Sequence, residues 1–186
     1  PWYAALREHD PLHALAGGGV FVARYDDALA VYRAPQASSD KKAEFRPKLG
    51  DSPLYEHHTT SLVFNDPPLH TRVRRILMGA LNQKAIARME ANVVRLVDAL
   101  LEDMAAKREV NFIDEFAARI PIEVIGNLLC IPREERGPLR GWSVAILSGL
   151  EPQLTPAMLA AGNRAVTEFI DYLEGLVAAR RKNPGD

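Results

Sequence analysis

The chain has 186 residues, of which 47% are hydrophobic and 25% are charged, and its formal net charge is −1. This composition is typical of a soluble globular protein and argues against a disordered or fibrous chain. No apolar run approaches the ~20 residues that a membrane-spanning helix needs, and a single cysteine cannot form an intrachain disulfide, which favours a cytoplasmic protein.

A small β element and a helix are predicted near the N-terminus. Two apolar segments, residues 12–16 and 20–24, flank Gly17-Gly18-Gly19, a pattern typical of a hairpin with a glycine turn. A helix is predicted from Tyr25 to Arg33, ended by Pro35.

The next segment, from Gln36 to Asn65, is rich in Ser, Pro, Gly and Asp and has no apolar period. It predicts a loop with room for one short helix. Loops of this length inside a domain are usually functional or mobile.

A clear helix start follows this loop. Asp66 can cap the helix and Pro67 suits its first turn, where a missing backbone N–H costs nothing. On this helix His70 and Arg74 stand four residues apart, so their Cβ atoms are expected ~6 Å from each other. An imidazole and a guanidinium at that spacing can converge on one carboxylate or phosphate.

Beyond Asp66 the apolar period is helical nearly to the end of the chain. Two stripes that we expect to pack into a core are Leu96, Leu100 and Met104, and Phe169, Tyr172, Leu173 and Leu176. The run is divided into separate helices by Pro121, Pro132, Pro138, Pro152 and Pro156. The predicted fold class is therefore mainly α with a small β-hairpin element.

Positive charge is concentrated on the helices that follow the loop. Residues 66–95 contain six basic and two acidic side chains, a net charge of +4 in a nearly neutral chain. Such a local field can hold an anionic cofactor or steer an acidic partner, although a solvated helix face is the usual explanation for it.

The run Asp66-Pro67-Pro68-Leu69-His70-Thr71-Arg72-Val73-Arg74-Arg75 resembles the C-helix signature of bacterial cytochrome P450 monooxygenases. Four further stretches resemble this family in its own order. Phe21–Ala28 resembles the early strand and B helix, Ser38-Ser39-Asp40 its sequel, and residues 121–125 and 128–132 the segments ahead of the F and G helices.

The resemblance implies the N-terminal portion of a single P450 domain, ending at residues 180–186, before the I helix. Residues 1–65 would form the β element, the B helix and the B–C loop, and residues 66–186 the helical C to G region. The I-helix acid and alcohol, the E-x-x-R pair and the iron-ligating Cys loop would be missing, so we expect this portion to be inactive alone.

The resemblance also implies the chemistry and the site residues. The complete enzyme would bind haem b, take electrons from a ferredoxin- or flavodoxin-type donor, and use O2 to oxidise a small organic substrate. His70 and Arg74 would bind the haem propionates. Arg72 and Arg75 would face the donor, and the distal lining would include Thr60, Ser61, Leu62 and Val63.

The single cysteine, Cys130, stands where the family more often has Gly. It lies in an apolar run and is expected to be a small buried hydrophobe rather than a metal ligand.

Other kinds of site receive little support from the sequence. Pro11 interrupts the His9–His13 spacing, and His57 and His58 lack the companions of a zinc site. There is no phosphate-binding loop, catalytic triad or recognised nucleic-acid-binding motif. The alternative to a monooxygenase is a non-catalytic helical module that binds an anion or a protein through its basic helix.

Overall fold

The computed structural model describes residues 1–183 and is mainly helical with one small antiparallel sheet among those residues. The predicted fold class is confirmed. The strands are β1 (Leu12–Ala14) and β2 (Val20–Val22), and the helices are α1 (Trp2–His9), α2 (Tyr25–Arg33), α3 (Lys42–Leu49), α4 (Pro53–Thr60), α5 (Leu69–Ala80), α6 (Gln83–Ala105), α7 (Arg119–Leu128), α8 (Gly137–Ser148) and α9 (Pro156–Lys182). The family resemblance is predicted to end at residues 180–186. Of these, residues 184–186 lie outside the described residues. No helix in the described part of the chain is long and apolar enough to cross a bilayer.

The chain divides into two compact units, residues 1–39 and 40–186. The predicted division of the chain at residue 65 stays a prediction. In the first unit α1 ends at His9, and on β1 the Nδ1 atom of His13 lies 2.6 Å from Asp10 Oδ2. The two histidines therefore belong to different elements, as Pro11 predicts.

The glycine hairpin is confirmed. Strand β1 pairs antiparallel with β2 in the register Leu12–Val22 to Ala14–Val20. The turn closes through Leu15 N–H, which donates to the Gly19 carbonyl at 3.1 Å. Gly18 and Gly19 have φ angles of +88° and +91°, a region that favours glycine. Helix α2 has the predicted bounds.

The predicted loop from residue 36 to 65 contains more structure than the sequence indicated. It holds two helices, α3 and α4, and a 3₁₀ turn at Leu62–Phe64. The prediction of one short helix at most is therefore wrong. These short helices are stabilised by tertiary contacts, because Phe45, Leu49 and Leu54 are buried in a core whose other residues lie about 100 positions farther along the chain.

That core joins α3 and α4 to α8 and α9. It is formed by Phe45, Leu49, Leu54, Ile146, Ala165 and Val166. Burial of each large apolar side chain contributes about 1.5–3 kcal/mol, so this cluster dominates the stability of the second unit.

The remaining helices follow the predicted pattern. Leu100 is buried on α6, and the other members of the two predicted stripes are partly buried. Each of the five prolines lies in a connection or in the first turn of a helix: Pro121 in α7, Pro138 in α8, Pro156 in α9, and Pro132 and Pro152 between helices.

A buried arginine joins α7 to α8. The Arg136 guanidinium donates to Glu123 Oε2 at 2.7 Å, to Asn127 Oδ1 at 2.9 Å and to the Ile131 carbonyl at 2.7 Å. Its charge is therefore paired and its donors are used, as burial of a cation requires. Gly126 makes room for it, since a methyl group at that position would overlap the Arg136 side chain.

Cys130 lies two residues after the end of α7 and has an unexpected backbone conformation. It is exposed, so the prediction of a buried hydrophobe is wrong. Its φ angle is +52°. Its N–H donates to the Asn127 carbonyl at 3.2 Å, and Ile131 N–H donates to the Gly126 carbonyl at 2.7 Å. These bonds form a Schellman motif, in which the residue at the Cys130 position is usually Gly and faces away from the helix core.

Candidate functional site

The candidate site is built on α5, which begins later than the sequence predicts. The helix starts at Leu69 with Pro68 at its N-cap, and Pro68 makes no side-chain cap bond. The prediction of Asp66 as cap and Pro67 as first-turn residue is therefore wrong. Because a residue that precedes proline is disfavoured in the α conformation, Pro67 cannot begin the helix. The Asp66 carbonyl instead accepts a bond from His70 N–H at 3.1 Å.

His70 and Arg74 lie one turn apart on the same side of α5. His70 is half-buried and Arg74 is exposed. Within residues 1–183 neither side chain makes an ion pair or a side-chain hydrogen bond. The pair is therefore free to bind an anionic group.

Two apolar side chains flank this pair. No residue of α5 is fully buried, and Leu69, Ile76, Leu77 and Met78 are exposed, Ile76 to 69%. At 100° per residue, Leu77 and Met78 lie within about 60° of the centre of the His70–Arg74 face and form an apolar stripe beside it, whereas Leu69 and Ile76 lie about 120–140° away. An apolar body that carries an anionic substituent would match this surface, because it would cover the stripe and pair with the two nitrogen-bearing side chains.

Arg72 and Arg75 are exposed on the other side of the helix. Their helical positions lie 120° or more from the centre of the His70–Arg74 face. The helix therefore offers two cationic surfaces that face in different directions.

Residues 60–63, the predicted lining, connect α4 to α5. Thr60 Oγ1 donates to the Glu56 carbonyl at 2.7 Å, and Ser61 Oγ donates to the His58 carbonyl at 2.8 Å. Leu62 is half-buried, and Val63 is 69% exposed. The two hydroxyls are therefore bonded to backbone, and Val63 offers the most accessible apolar surface of the segment.

A buried asparagine that the sequence analysis missed fixes this segment. Asn65 Nδ2 donates to the Thr59 carbonyl at 2.9 Å and to the Ser61 carbonyl at 2.6 Å. Asn65 lies four residues before the first residue of α5, and its two bonds hold it against the candidate lining. An asparagine next to Asp-Pro-Pro looks like ordinary turn sequence, and only the two bonds show its role.

An open cavity of about 720 Å³ lies between α4 and α9. Of the predicted lining residues only Thr60 borders it, together with Tyr55, His57 and Ile170 among others. The other three predicted lining residues, Ser61, Leu62 and Val63, do not border this cavity.

Two histidines on α4 are in an apolar environment. His58 is 3% exposed, its ring contacts Phe45 and Phe64, and its Nε2 atom has no hydrogen-bond partner among the described residues. Burial, and then the neighbouring His57, lowers the pKa of His58. Burial alone lowers the pKa of His57. Both rings are therefore neutral at neutral pH.

Comparison with known proteins identifies related chains. No protein-family model matches. The chain is 30% identical over 190 residues to a cytochrome P450 of Bacillus subtilis (strain 168), covering 98% of this chain and 46% of the relative. It is 29% identical over 195 residues to the 6-deoxyerythronolide B hydroxylase of Saccharopolyspora erythraea, covering 99% of this chain and 47% of that enzyme. The crystal structure of CalO2 superimposes on the whole chain with a TM-score of 0.92 at 28% identity, over 47% of its own length. The chain thus spans about half the length of the relatives it matches.

Proposed function

We propose, since this chain belongs to the cytochrome P450 family, that the protein it forms part of is a haem–thiolate monooxygenase that oxidises a small organic substrate. The relatives support an oxidation reaction, because one of them is named as a hydroxylase. No comparison favours the alternative, a non-catalytic helical module. We expect the 186 residues alone to be inactive.

We assign the binding of the haem propionates to His70 and Arg74. The observation that carries this assignment is an exposed cationic pair beside an exposed apolar stripe on one helix. Each hydrogen bond from a charged group to a carboxylate contributes about 1.5–3 kcal/mol. Leu77 and Met78, which are exposed beside the pair, would cover the apolar edge of the cofactor and exclude water from the propionate bonds.

Haem b, when bound, supplies the activation of O2. This chain fits only part of that cofactor's environment. Its sole cysteine, Cys130, is exposed at the end of α7 and closes the helix. We therefore assign the iron-ligating thiolate to a residue outside these 186 positions.

The remaining assignments concern substrate and electron donor. Thr60, Ser61, Leu62 and Val63 would contact the substrate, with Val63 as the most exposed apolar member. Arg72 and Arg75 would dock a ferredoxin- or flavodoxin-type donor, because acidic donors are attracted by a cationic surface that lies away from the cofactor. We place the enzyme in the cytoplasm, where a chain with one free cysteine stays reduced.

The test uses a His70→Ala/Arg74→Ala double variant of the full-length gene product. Loss of two charge-assisted bonds of about 1.5 kcal/mol each predicts a haem affinity about 100-fold lower. The readouts are haem content after purification and the rate of haem transfer to a scavenging apoprotein. An Arg72→Ala/Arg75→Ala variant is the matched control and should retain its haem.

Wild-type haem retention in the His70→Ala/Arg74→Ala variant would contradict the propionate assignment. The function itself is tested on the unaltered protein by the absorption spectrum of the reduced, CO-treated form. A gene product that binds no haem would favour the alternative of a helical binding module.

A further inference from the structure

Helix α4 is held on α8 and α9 by one side chain in a glycine slot. Leu54 is completely buried. Two glycines of the neighbouring helices make room for its Cδ2 atom. A Cβ atom placed at Gly149 would lie 2.5 Å from this Cδ2 atom, and one placed at Gly162 would lie 2.9 Å from it. Ordinary side chains at either position would therefore overlap Leu54, and the slot exists only because both residues are glycine.

A second contact fixes the same helix end. In the first turn of α4, Pro53 has no N–H, Tyr55 N–H donates to Ser52 Oγ at 3.2 Å, and Leu54 N–H donates to Asn163 Oδ1 on α9 at 3.0 Å. The donors that a helix start normally leaves unpaired are thus satisfied, one of them by a different helix. The contacts of the Leu54 side chain and the bond from Leu54 N–H to Asn163 together fix the position of α4 on α9.

We infer that Leu54, Gly149, Gly162 and Asn163 are positioning residues that hold the segment 60–63 in place relative to α8 and α9. The segment follows α4 without a break, and the two Asn65 bonds hold it compactly at its other end. A shift of α4 in its slot must therefore move the segment. This inference rests on the proposed function in one respect only, the assignment of residues 60–63 to the substrate site.

The chain offers a clean way to fill the slot. An alanine at Gly149 meets mainly the Leu54 side chain, and the Gly149 φ angle of −65° suits alanine. Because Leu54 is surrounded by core, it cannot turn aside without moving α4. Gly175→Ala on α9 is the matched control, since nothing lies within 4 Å of a Cβ there.

The first readout is hydrogen exchange of the amides in residues 53–65 of the full-length protein. Gly149→Ala should accelerate exchange there by about tenfold or more, since local opening controls the rate. Gly175→Ala should not change it. If Gly149→Ala fails to fold, Asn163→Ala, which removes an acceptor without adding atoms, should give the same local acceleration.

The second readout is the binding of two azoles of different length to the haem iron, followed by the shift of its absorption band. Imidazole is too small to reach beyond the iron, whereas 4-phenylimidazole extends into the space above it. Displacement of the lining by about 1 Å should change the affinity for 4-phenylimidazole by tenfold or more, relative to that for imidazole. The ratio should be unchanged in Gly175→Ala.

The outcomes separate the two hypotheses. Unchanged exchange in Gly149→Ala and in Asn163→Ala would overturn the inference, as would faster exchange with an unchanged azole ratio, since the slot would then hold α4 without positioning the lining. A wild-type protein without haem would refute the proposed function, and the exchange of residues 60–63 would still decide whether the slot holds the segment.

Discussion

A substitution of Cys130 tests the conformation at the end of α7. Its φ angle of +52° places an L-residue in the left-handed region, where the Cβ atom crowds the following carbonyl. The side chain is exposed, so its removal loses no buried surface. Cys130→Gly should therefore stabilise the protein.

The size of the effect follows from two opposing contributions. Relief of the left-handed conformation contributes about 1–2 kcal/mol, and the greater freedom of glycine in the unfolded chain costs about 0.4–1 kcal/mol. The free energy of unfolding should rise by about 0.8 kcal/mol, the middle of a range of about 0–1.6 kcal/mol. In a chain of this size that corresponds to about 1–4 °C in Tm.

Urea and thermal unfolding of wild type, Cys130→Gly and Cys130→Ala measure this effect. Alanine is the decisive control, because it removes the thiol but retains the Cβ atom. Cys130→Ala should therefore match wild type. The reasoning would be refuted if the alanine and glycine variants gained equally, since the thiol and not the backbone conformation would then be responsible.

Two further predictions concern buried groups. Gly126→Ala should destabilise the protein by about 1–3 kcal/mol, because the added methyl group overlaps Arg136. Gly141→Ala, on an open face of α8, should instead stabilise it by about 0.5–1 kcal/mol. Equal changes in the unfolding midpoint of the two variants would contradict this prediction. The pKa of His58 is lowered in the folded state, so below about pH 6.5 the unfolded chain binds a proton at this residue that the folded chain does not. The stability of the protein therefore falls as pH falls, by at most about 1.4 kcal/mol per pH unit for this group. His58→Phe should flatten the dependence between pH 7.5 and 5.5, and an unchanged slope would assign it to other groups.

The parts of the fold that sequence predicted are those that local chemistry determines. The glycine hairpin and α2 depend on neighbouring residues, and both have the expected form. The i, i+4 spacing of His70 and Arg74 likewise survives a shift of the helix start, because it needs only that both residues be helical.

The parts that were missed depend on distant or competing groups. Helices α3 and α4 form because a core about 100 residues away covers Phe45 and Leu54, which no local pattern shows. Asp66 fails as the N-cap because Pro67, which precedes another proline, is disfavoured in the helical conformation, and the helix starts three residues after Asp66. Cys130 is apolar in its sequence context, yet the end of α7 turns it outward.

The bond between Leu54 and Asn163 joins positions 109 residues apart in the chain. At synthesis rates of roughly 5–20 residues per second, α4 leaves the ribosome roughly 5–20 s before its slot on α9 does. During that interval Leu54 and the uncharged ring of His58 have no core to enter. The early chain therefore exposes part of its future core at residues 45–64 until α9 has been made, and nascent-chain chaperones have that interval in which to bind there.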